Sequence, residues 1–514
     1  MNGAQSLLGT LVRSGIEVCF TNPGTSEMHF VASLDREPEM RAVLVLFEGV
    51  ATAAADGYAR MTNKPAATLL HLGPGLANGL SNLHNAKKAR SPVVNIIGDH
   101  ATYHLPFEAP LTSDVKAFAA PVSHWIKSSP NAADVGQDTA EAVRAANSNG
   151  GQIASLILPA DTAWTPASDY GFYRTPPMPD TPPQAAITKA SKMLKNSKKT
   201  VILISGHALR AKGVKAANRI AVKSGAQVFA DTFNARMERG AGRYNIKRLP
   251  YFAEQVSEIL AGTEQLIIVG SKPPVSFFAY PDTPNYLVPD GCQIHTLSTP
   301  AENSISALEA VADEIGAPKN PHGRIDLIRP ELASGGDIAS SVWQAMAHFM
   351  PDDSILVDEA TTSGIASEMF LANAPSFDYL QLTGGSIGIG LPLSLGASIA
   401  CPGRKVICGQ GDGGAMYTLQ ALWSQAREQC DVVNIIFNNR KYLILEIEIM
   451  RVGAENIGPK ALDMFDIGRP EIDWCKLAEG MGVHSIRVSS VQEVNHAMEF
   501  CMKNKGPHMI EVIL

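Results

Sequence analysis

Short apolar runs alternate with longer segments of helical periodicity along almost the whole chain. The runs fall in three groups: 18–20, 43–47, 67–70, 93–97 and 153–158; 201–204, 227–230 and 265–269; 354–357, 405–408, 432–437 and 509–513. Each is short enough to be a buried strand and is followed by a segment long enough for a crossover helix. That is the βαβ rhythm of parallel sheets, which place ligands at the carboxyl ends of their strands. Two polar, helix-breaking stretches separate the groups. "TPPMPDTPPQ" at 175–184 has five prolines in ten residues, and "PKNPHGRIDLIRPELASGGD" at 318–337 has three prolines and a glycine pair. Both read as extended linkers. The pattern predicts an α/β chain of three doubly wound parallel-sheet domains, at 1–170, 185–320 and 335–514.

Composition narrows the class without changing this picture. A length of 514 residues suits several domains. Hydrophobic residues make up 45% and charged residues 18%, which suits an oligomer with apolar surfaces. The net charge of -7, with no basic run of five or more, gives no support for nucleic-acid binding. The start lacks a signal-peptide pattern, and no apolar stretch approaches the roughly 18–20 residues needed to span a bilayer. Seven scattered cysteines without a CxxC pair fit reduced thiols. The expectation is a soluble, cytoplasmic protein that acts on small molecules.

One feature of the first group stands out. The apolar run 43–47 ends in a single carboxylate, Glu48, within "VLVLFEGVATAAADGYAR", with no Lys or Arg among its immediate neighbours. The Ala- and Gly-rich stretch after it predicts a closely packed helix. A helix N-terminus favours a glutamate, which accounts for its position but not for its isolation.

The third group carries the most specific pattern. "KVICGQGDGGAMYTLQ" puts Gly411, Asp412 and Gly413 directly between a strand and a helix, and "VVNIIFNNRKY" ends the next strand in Asn438 and Asn439. The spacing from Asp412 to Asn439 is 439 − 412 = 27 residues, a helix plus a strand. Neighbouring parallel strands would therefore bring the two side chains together at their carboxyl ends. A carboxylate, an amide oxygen and a nearby backbone carbonyl are hard ligands that suit Mg2+, which takes its remaining ligands from water and substrate phosphates. Glycines let backbone N–H groups approach those phosphates.

With these motifs the chain resembles the thiamine-diphosphate-dependent enzymes, whose signature is Gly-Asp-Gly followed about this far on by Asn-Asn. The resemblance spans nearly the whole chain and looks closest to the branch of acetolactate synthase large subunits and benzoylformate decarboxylases. It implies thiamine diphosphate and Mg2+ as cofactors, with Asp412, Asn439 and the Lys441 carbonyl as metal ligands. Gly411, Gly413, Gly414 and Tyr442 would border the diphosphate, and Thr361 and Thr362 of "VDEATTSG" its substrate-facing end. "TGGSIGIGLPLSLGASIA" is similar to the segment lining the pyrimidine pocket, so Gly385 and Ser386 would line it and Ile387 would be the apolar wedge beneath the bent cofactor. Glu48 matches the glutamate that bonds the pyrimidine N1′. An apolar setting suits that role, because burial disfavours the charged form and lets a carboxylate share a proton.

The resemblance also aligns Thr25 of "FTNPGTSEMHF" with a hydroxyl residue, and His71 of "LLHLGPGLANGLSN" with the active-site histidine, of benzoylformate decarboxylase. His100, His104 and Leu111 fall in a following loop that could meet substrate or lie on the surface. Ile444 and Leu445 would line the substrate pocket, with Glu446 or Glu448 near its mouth.

Two departures matter. Where benzoylformate decarboxylases bring a second histidine from the middle domain, "PPVSFFAYPDTPNYL" offers Phe277 and Phe278. No pattern for FAD, which acetolactate synthases carry, is visible in the middle domain, so FAD is not expected. The reading is decarboxylation of a small 2-oxo acid with carboligation to an aldehyde or oxo-acid acceptor, as in acetolactate synthase. The alternative is a decarboxylase of the benzoylformate type that releases an aldehyde, and a further one is a catalytically silent, cofactor-binding regulatory subunit. The family's architecture implies a homodimer as the minimal active unit, in a homotetramer.

Overall fold

A computed structural model describes residues 1–172 and 179–514, so the first linker expected at 175–184 lies partly outside the described residues. The N-terminal sheet holds β1 Val18–Thr21, β2 Arg41–Leu44, β3 Ala66–Leu70, β4 Val93–Asp99, β5 Trp125–Ser128 and β6 Ile153–Pro159. They run in the order β2-β1-β3-β4-β6-β5, every neighbouring pair parallel. Next along the chain come β7 Thr200–Ile204, β8 Gln227–Ala230, β9 Met237–Arg239, β10 Lys247–Arg248, β11 Gln265–Val269 and β12 Gln293–Ser298. The central sheet has the order β10-β8-β7-β11-β12, again parallel, and leaves β9 out. The C-terminal sheet is built from β13 Ser354–Glu359, β14 Phe377–Gln381, β15 Val406–Gly411, β16 Val432–Asn438, β17 His484–Val488 and β18 His508–Ile513. Its order is β17-β18-β16-β15-β13-β14-β9. β9 leaves the central region and adds to β14 as the antiparallel edge, with Tyr379 opposite Met237.

The expected strands form with ends shifted by at most three residues, with one instructive exception in which the chain leaves the sheet early. The run 43–47 is not a strand to its end. Pairing stops at Leu44, Val45 makes one last backbone bond to Thr21 at 2.9 Å, and Leu46 is 46% exposed. The chain has lifted off the sheet to start the helix Glu48–Thr62.

That helix is buried from Glu48 through Met61, which explains its small side chains. It packs backbone to backbone on the helix Gly390–Ala400. A β-carbon on Gly57 would lie 2.2 Å from the Leu393 carbonyl oxygen, and one on Gly396 would lie 1.9 Å from that of Ala54. Only glycine permits so close an approach. At the far end of the helix Arg60 forms a two-pronged, fully buried pair with Asp56, at 2.8 and 2.6 Å. The same guanidinium donates to the carbonyls of Gln381 (2.7 Å) and Ala235 (3.3 Å). Arg236 returns the contact by donating to the Met61 carbonyl at 2.9 Å and to Asp378 at 2.5 Å. These groups join the three sheet regions at one junction. Among the described residues, no helix is long and apolar enough to cross a membrane.

Candidate active site

Two clusters, each at the carboxyl ends of strands, collect side chains singled out by the sequence. In the N-terminal one, Glu48 opens its helix behind Phe47, whose extended backbone turns the chain. It is 6% exposed, and Oε2 accepts a hydrogen bond from the Asn78 amide at 3.0 Å. Gly75 makes room for it, since a β-carbon there would sit 3.0 Å from Glu48 Oε1. Among the described residues no cation pairs with this carboxylate. The isolation expected from the sequence survives folding.

His71 stands beside it at the start of the helix Leu72–Ala89. Leu72 is buried with φ of +47°, a strained conformation for a leucine that marks a tightly constrained turn. The ring's Nδ1 lies 2.9 Å from Glu27 Oε2 and 3.3 Å from Ser26 Oγ. Glu27 is 4% exposed and also accepts from the Gly24 N–H at 2.9 Å and the Ser26 hydroxyl at 2.8 Å. A carboxylate only accepts, so Nδ1 carries the proton and Nε2 is left as the acceptor of the neutral ring. Thr25, the hydroxyl expected here, is exposed at the start of the short turn Thr25–Glu27, and Ser26 is the hydroxyl that reaches the histidine.

His100 and His104 follow β4 with ring centroids 5.5 Å apart, and His104 meets Phe107 at 5.9 Å. Their loop folds back on the His71 turn: a β-carbon on Gly73 would meet Ser113 Oγ at 1.9 Å. Leu111 is partly exposed on that loop.

The second cluster lies where β13, β15 and β16 end side by side. Register places Gly411 opposite Phe437, which brings Asp412 to the turn at Asn439, as the 27-residue spacing requires. Asp412 is 3% exposed; Oδ1 accepts the Gly413 N–H at 2.8 Å and Oδ2 the Arg440 N–H at 2.7 Å. Burial raises its carboxyl above the ordinary value, against the pull of those N–H groups. Asn439 Oδ1 accepts the Lys441 N–H at 3.1 Å. Asp412, Asn439 and the Lys441 carbonyl are the oxygen donors of this turn region that could hold a small hard cation. The Tyr442 ring covers Gly413, where a β-carbon would lie 2.2 Å from it. Thr361 has φ of +50°, strained for a β-branched residue, and its hydroxyl faces Gly411; Thr362 follows in the same short turn.

The Gly385–Ile387 loop sits above these strand ends. Asn85 holds it from the N-terminal region, accepting the Gly384 and Ser386 N–H groups at 3.1 and 3.3 Å and donating to the Ser386 carbonyl at 2.7 Å. Beneath it, Glu359 at the end of β13 accepts the N–H groups of Gly388 and Gly390, each at 2.6 Å. Desolvation pushes this buried carboxyl up to about 7. Phe277 packs against Gly385 and belongs to an aromatic cluster with Phe233, Tyr251 and Phe278, at centroid distances of 4.7–5.7 Å around Phe277. Ile444 and Leu445 lie on the helix Leu443–Arg451, partly exposed. Neither acid of that helix is free. Glu446 pairs with Lys441 at 2.9 Å, and Glu448 accepts from the hydroxyls of Tyr280 (2.7 Å) and Tyr251 (3.3 Å).

The folded chain therefore groups Glu48 with His71, and Asp412 with Asn439, Lys441, Tyr442 and the Ile387 loop. Among the described residues no hydrogen bond or ion pair joins the first group to the second. Sequence reasoning missed Ser26, Glu27, Asn78, Asn85 and Glu359. Ser26 and Glu27 stand within "FTNPGTSEMHF", Asn78 within "LLHLGPGLANGLSN" and Glu359 within "VDEATTSG", all stretches already singled out; Asn85 lies outside them and acts on a loop about 300 residues away.

Residues 1–120 match the model of the thiamine pyrophosphate enzyme N-terminal TPP binding domain, and residues 360–512 match that of the C-terminal TPP binding domain. A Mycobacterium tuberculosis protein named "Putative acetolactate synthase large subunit IlvX" is 48% identical over 520 residues, covering 100% of this chain and 99% of its own. This chain belongs to the thiamine pyrophosphate enzymes. Among other members, the benzoylformate decarboxylase of Pseudomonas aeruginosa is 26% identical, covering 98% of this chain and 97% of its own. The fold matches the solved structure of the thiamine diphosphate-dependent 4-hydroxybenzoylformate decarboxylase of Rhodococcus jostii RHA1. The TM-score is 0.87 at 24% identity, covering 100% of this chain and 99% of that one.

Proposed function

We propose that this thiamine pyrophosphate enzyme, with Mg2+, decarboxylates a small 2-oxo acid and joins the remaining fragment to an aldehyde or oxo-acid acceptor. The observation that carries the reading is Glu48: a buried carboxylate with an amide as its hydrogen-bond partner and no cation, in a family whose cofactor offers a ring nitrogen that needs one. Bound thiamine diphosphate supplies the electron sink for loss of CO₂. Glu48 would hold and exchange a proton at the pyrimidine N1′, free of any cation that would fix it as an anion. His71, oriented by Glu27, would move a proton at the substrate through Nε2. Asp412, Asn439 and the Lys441 carbonyl would hold Mg2+ and through it the diphosphate, while Ile387 would fill the space under the rings.

Because no hydrogen bond or ion pair among the described residues joins Glu48 to Asp412, the complete site is assigned to two copies of the chain, Glu48 of one facing Asp412 of the other, with a homotetramer as the full assembly. A fully active monomer in sedimentation would overturn this part.

A second reading has its own support. The Phe233–Tyr251–Phe277–Phe278 cluster beside Gly385 would exclude water and polar acceptors, which favours release of an aldehyde, as benzoylformate decarboxylase releases one. Pocket shape decides between acceptor and proton. Incubation of the pure protein with pyruvate, benzoylformate and other 2-oxo acids, with mass-spectrometric detection, separates the readings by product. Absence of CO₂ release from every 2-oxo acid would leave only a silent, cofactor-binding subunit.

A further inference from the structure

Several carboxyls that play no part in the chemistry above are taken up by a nearby hydroxyl. Asp231 accepts from the Ser271 hydroxyl at 2.6 and 2.7 Å, and Asp358 from that of Tyr379 at 2.5 Å. Glu359 differs. Its two oxygens divide between two backbone N–H groups, that of Gly388 in the loop on Oε1 and that of Gly390, which opens the helix Gly390–Ala400, on Oε2. The loop turns between them, since Gly388 has φ of +92°. Two bonds to one rigid carboxylate fix the loop's rotation as well as its distance, and charge-assisted bonds of this kind are the strong ones.

The same carboxylate borders the metal turn. A β-carbon on Gly414 would lie 2.9 Å from Glu359 Oε1. From that side Thr418 closes the arrangement, its hydroxyl donating to the Gly388 carbonyl at 2.7 Å. The strand that carries Glu359, β13, lies between β14, which leads into the Ile387 loop, and β15, which leads into the Gly411–Gly414 turn. Burial of a carboxylate is costly unless it is bonded; here both hydrogen bonds hold the 388–390 segment, while the same carboxylate packs against Gly414 of the turn.

We infer that Glu359 is a positioning residue that clamps the Ile387 loop to the Gly411–Gly414 turn, setting the spacing between the wedge under the cofactor rings and the cradle for its diphosphate. The inference rests on the cofactor placement proposed above. It predicts that losing the clamp weakens a ligand spanning both parts more than a ligand that occupies the cradle alone.

The test uses the full-length assembly without cofactor, and E359A and E359Q, the second being the near-isosteric variant that folds if the first does not. Binding of thiamine diphosphate and of inorganic pyrophosphate, each with Mg2+, is followed by tryptophan fluorescence. Amide hydrogen exchange is read at Gly388 and Gly390. The expected result is thiamine diphosphate affinity reduced by about tenfold or more, as for a lost charge-assisted bond, pyrophosphate affinity little changed, and faster exchange at both glycines. Equal losses for the two ligands would mark a merely structural residue and overturn the clamp, as would unchanged affinity and exchange. Failure of the unsubstituted protein to bind thiamine diphosphate would overturn the proposed cofactor placement instead, and the exchange measurement still reads the clamp without it.

Discussion

Glu48 and Asp56 are carboxylates of one helix, both buried, and eight residues apart (56 − 48 = 8). Their surroundings are opposite. Asp56 is gripped by both prongs of Arg60 and by the Ser91 hydroxyl, in a junction that binds three sheet regions together. Glu48 has the Asn78 amide and space kept open by Gly75. A guanidinium partner balances the charge of a buried carboxylate; an amide partner does not. On the proposed reading, the helix would separate a structural carboxylate from a chemical one by about two turns.

The largest effect that would break this comparison concerns Glu48. Its conversion to Gln keeps the shape and the Asn78 contact but removes the exchangeable proton, so steady-state turnover should fall by about 10²–10⁴-fold. Thermal stability and diphosphate binding should hold, and near-normal turnover would remove Glu48 from the chemistry. Arg60→Met tests the other end: it strands Asp56 without its partner, and denaturant unfolding should show a loss of about 3–5 kcal/mol. Turnover per folded molecule should change far less than in Glu48→Gln. Between the two lies Gly57→Ala, where the added methyl meets the Leu393 carbonyl and should cost about 1–3 kcal/mol of stability by overpacking.

The smallest effect sharpens the comparison with a third carboxylate. Burial raises Glu359 from the ordinary 4.5 to about 7. Between those values the folded chain keeps a proton that the unfolded chain has released, so this group's contribution to stability falls as pH rises through the window. Asp231, raised to about 6 by burial, adds to the same trend. Glu359→Gln cannot charge, so its melting temperature relative to the unsubstituted protein should climb with pH across that window. A flat difference would show that Glu359 titrates normally.

Much of this was legible in the sequence because parallel strands buried on both faces are written as apolar runs. Strands that carry polar residues escaped. β9 is Met-Glu-Arg, β12 alternates Gln, His and Thr with apolar residues, and β14 contains Asp378 and Gln381; tertiary partners, not hydropathy, place them in sheets. The run 43–47 overstated its strand because hydropathy cannot show where a chain leaves a sheet to present Glu48. At the site, the Asp412–Asn439 spacing was readable because it is one crossover plus one strand, although the crossover forms two short helices, Asp412–Ala415 and Ala421–Arg427, rather than the single helix expected. The bond between His71 and Glu27 was not, since it spans 71 − 27 = 44 residues and has no local pattern.

β9 carries a consequence for engineering. Three residues of the central region are stitched into the edge of the C-terminal sheet, so that region is not a cassette. A chimera that exchanges the central segment whole would strip β14 of its neighbour and leave an open edge able to recruit a strand from another chain. Splice points that keep Met237–Arg239 with its host sheet avoid the problem. Any history in which such central segments were traded must have carried this small strand along or rebuilt it.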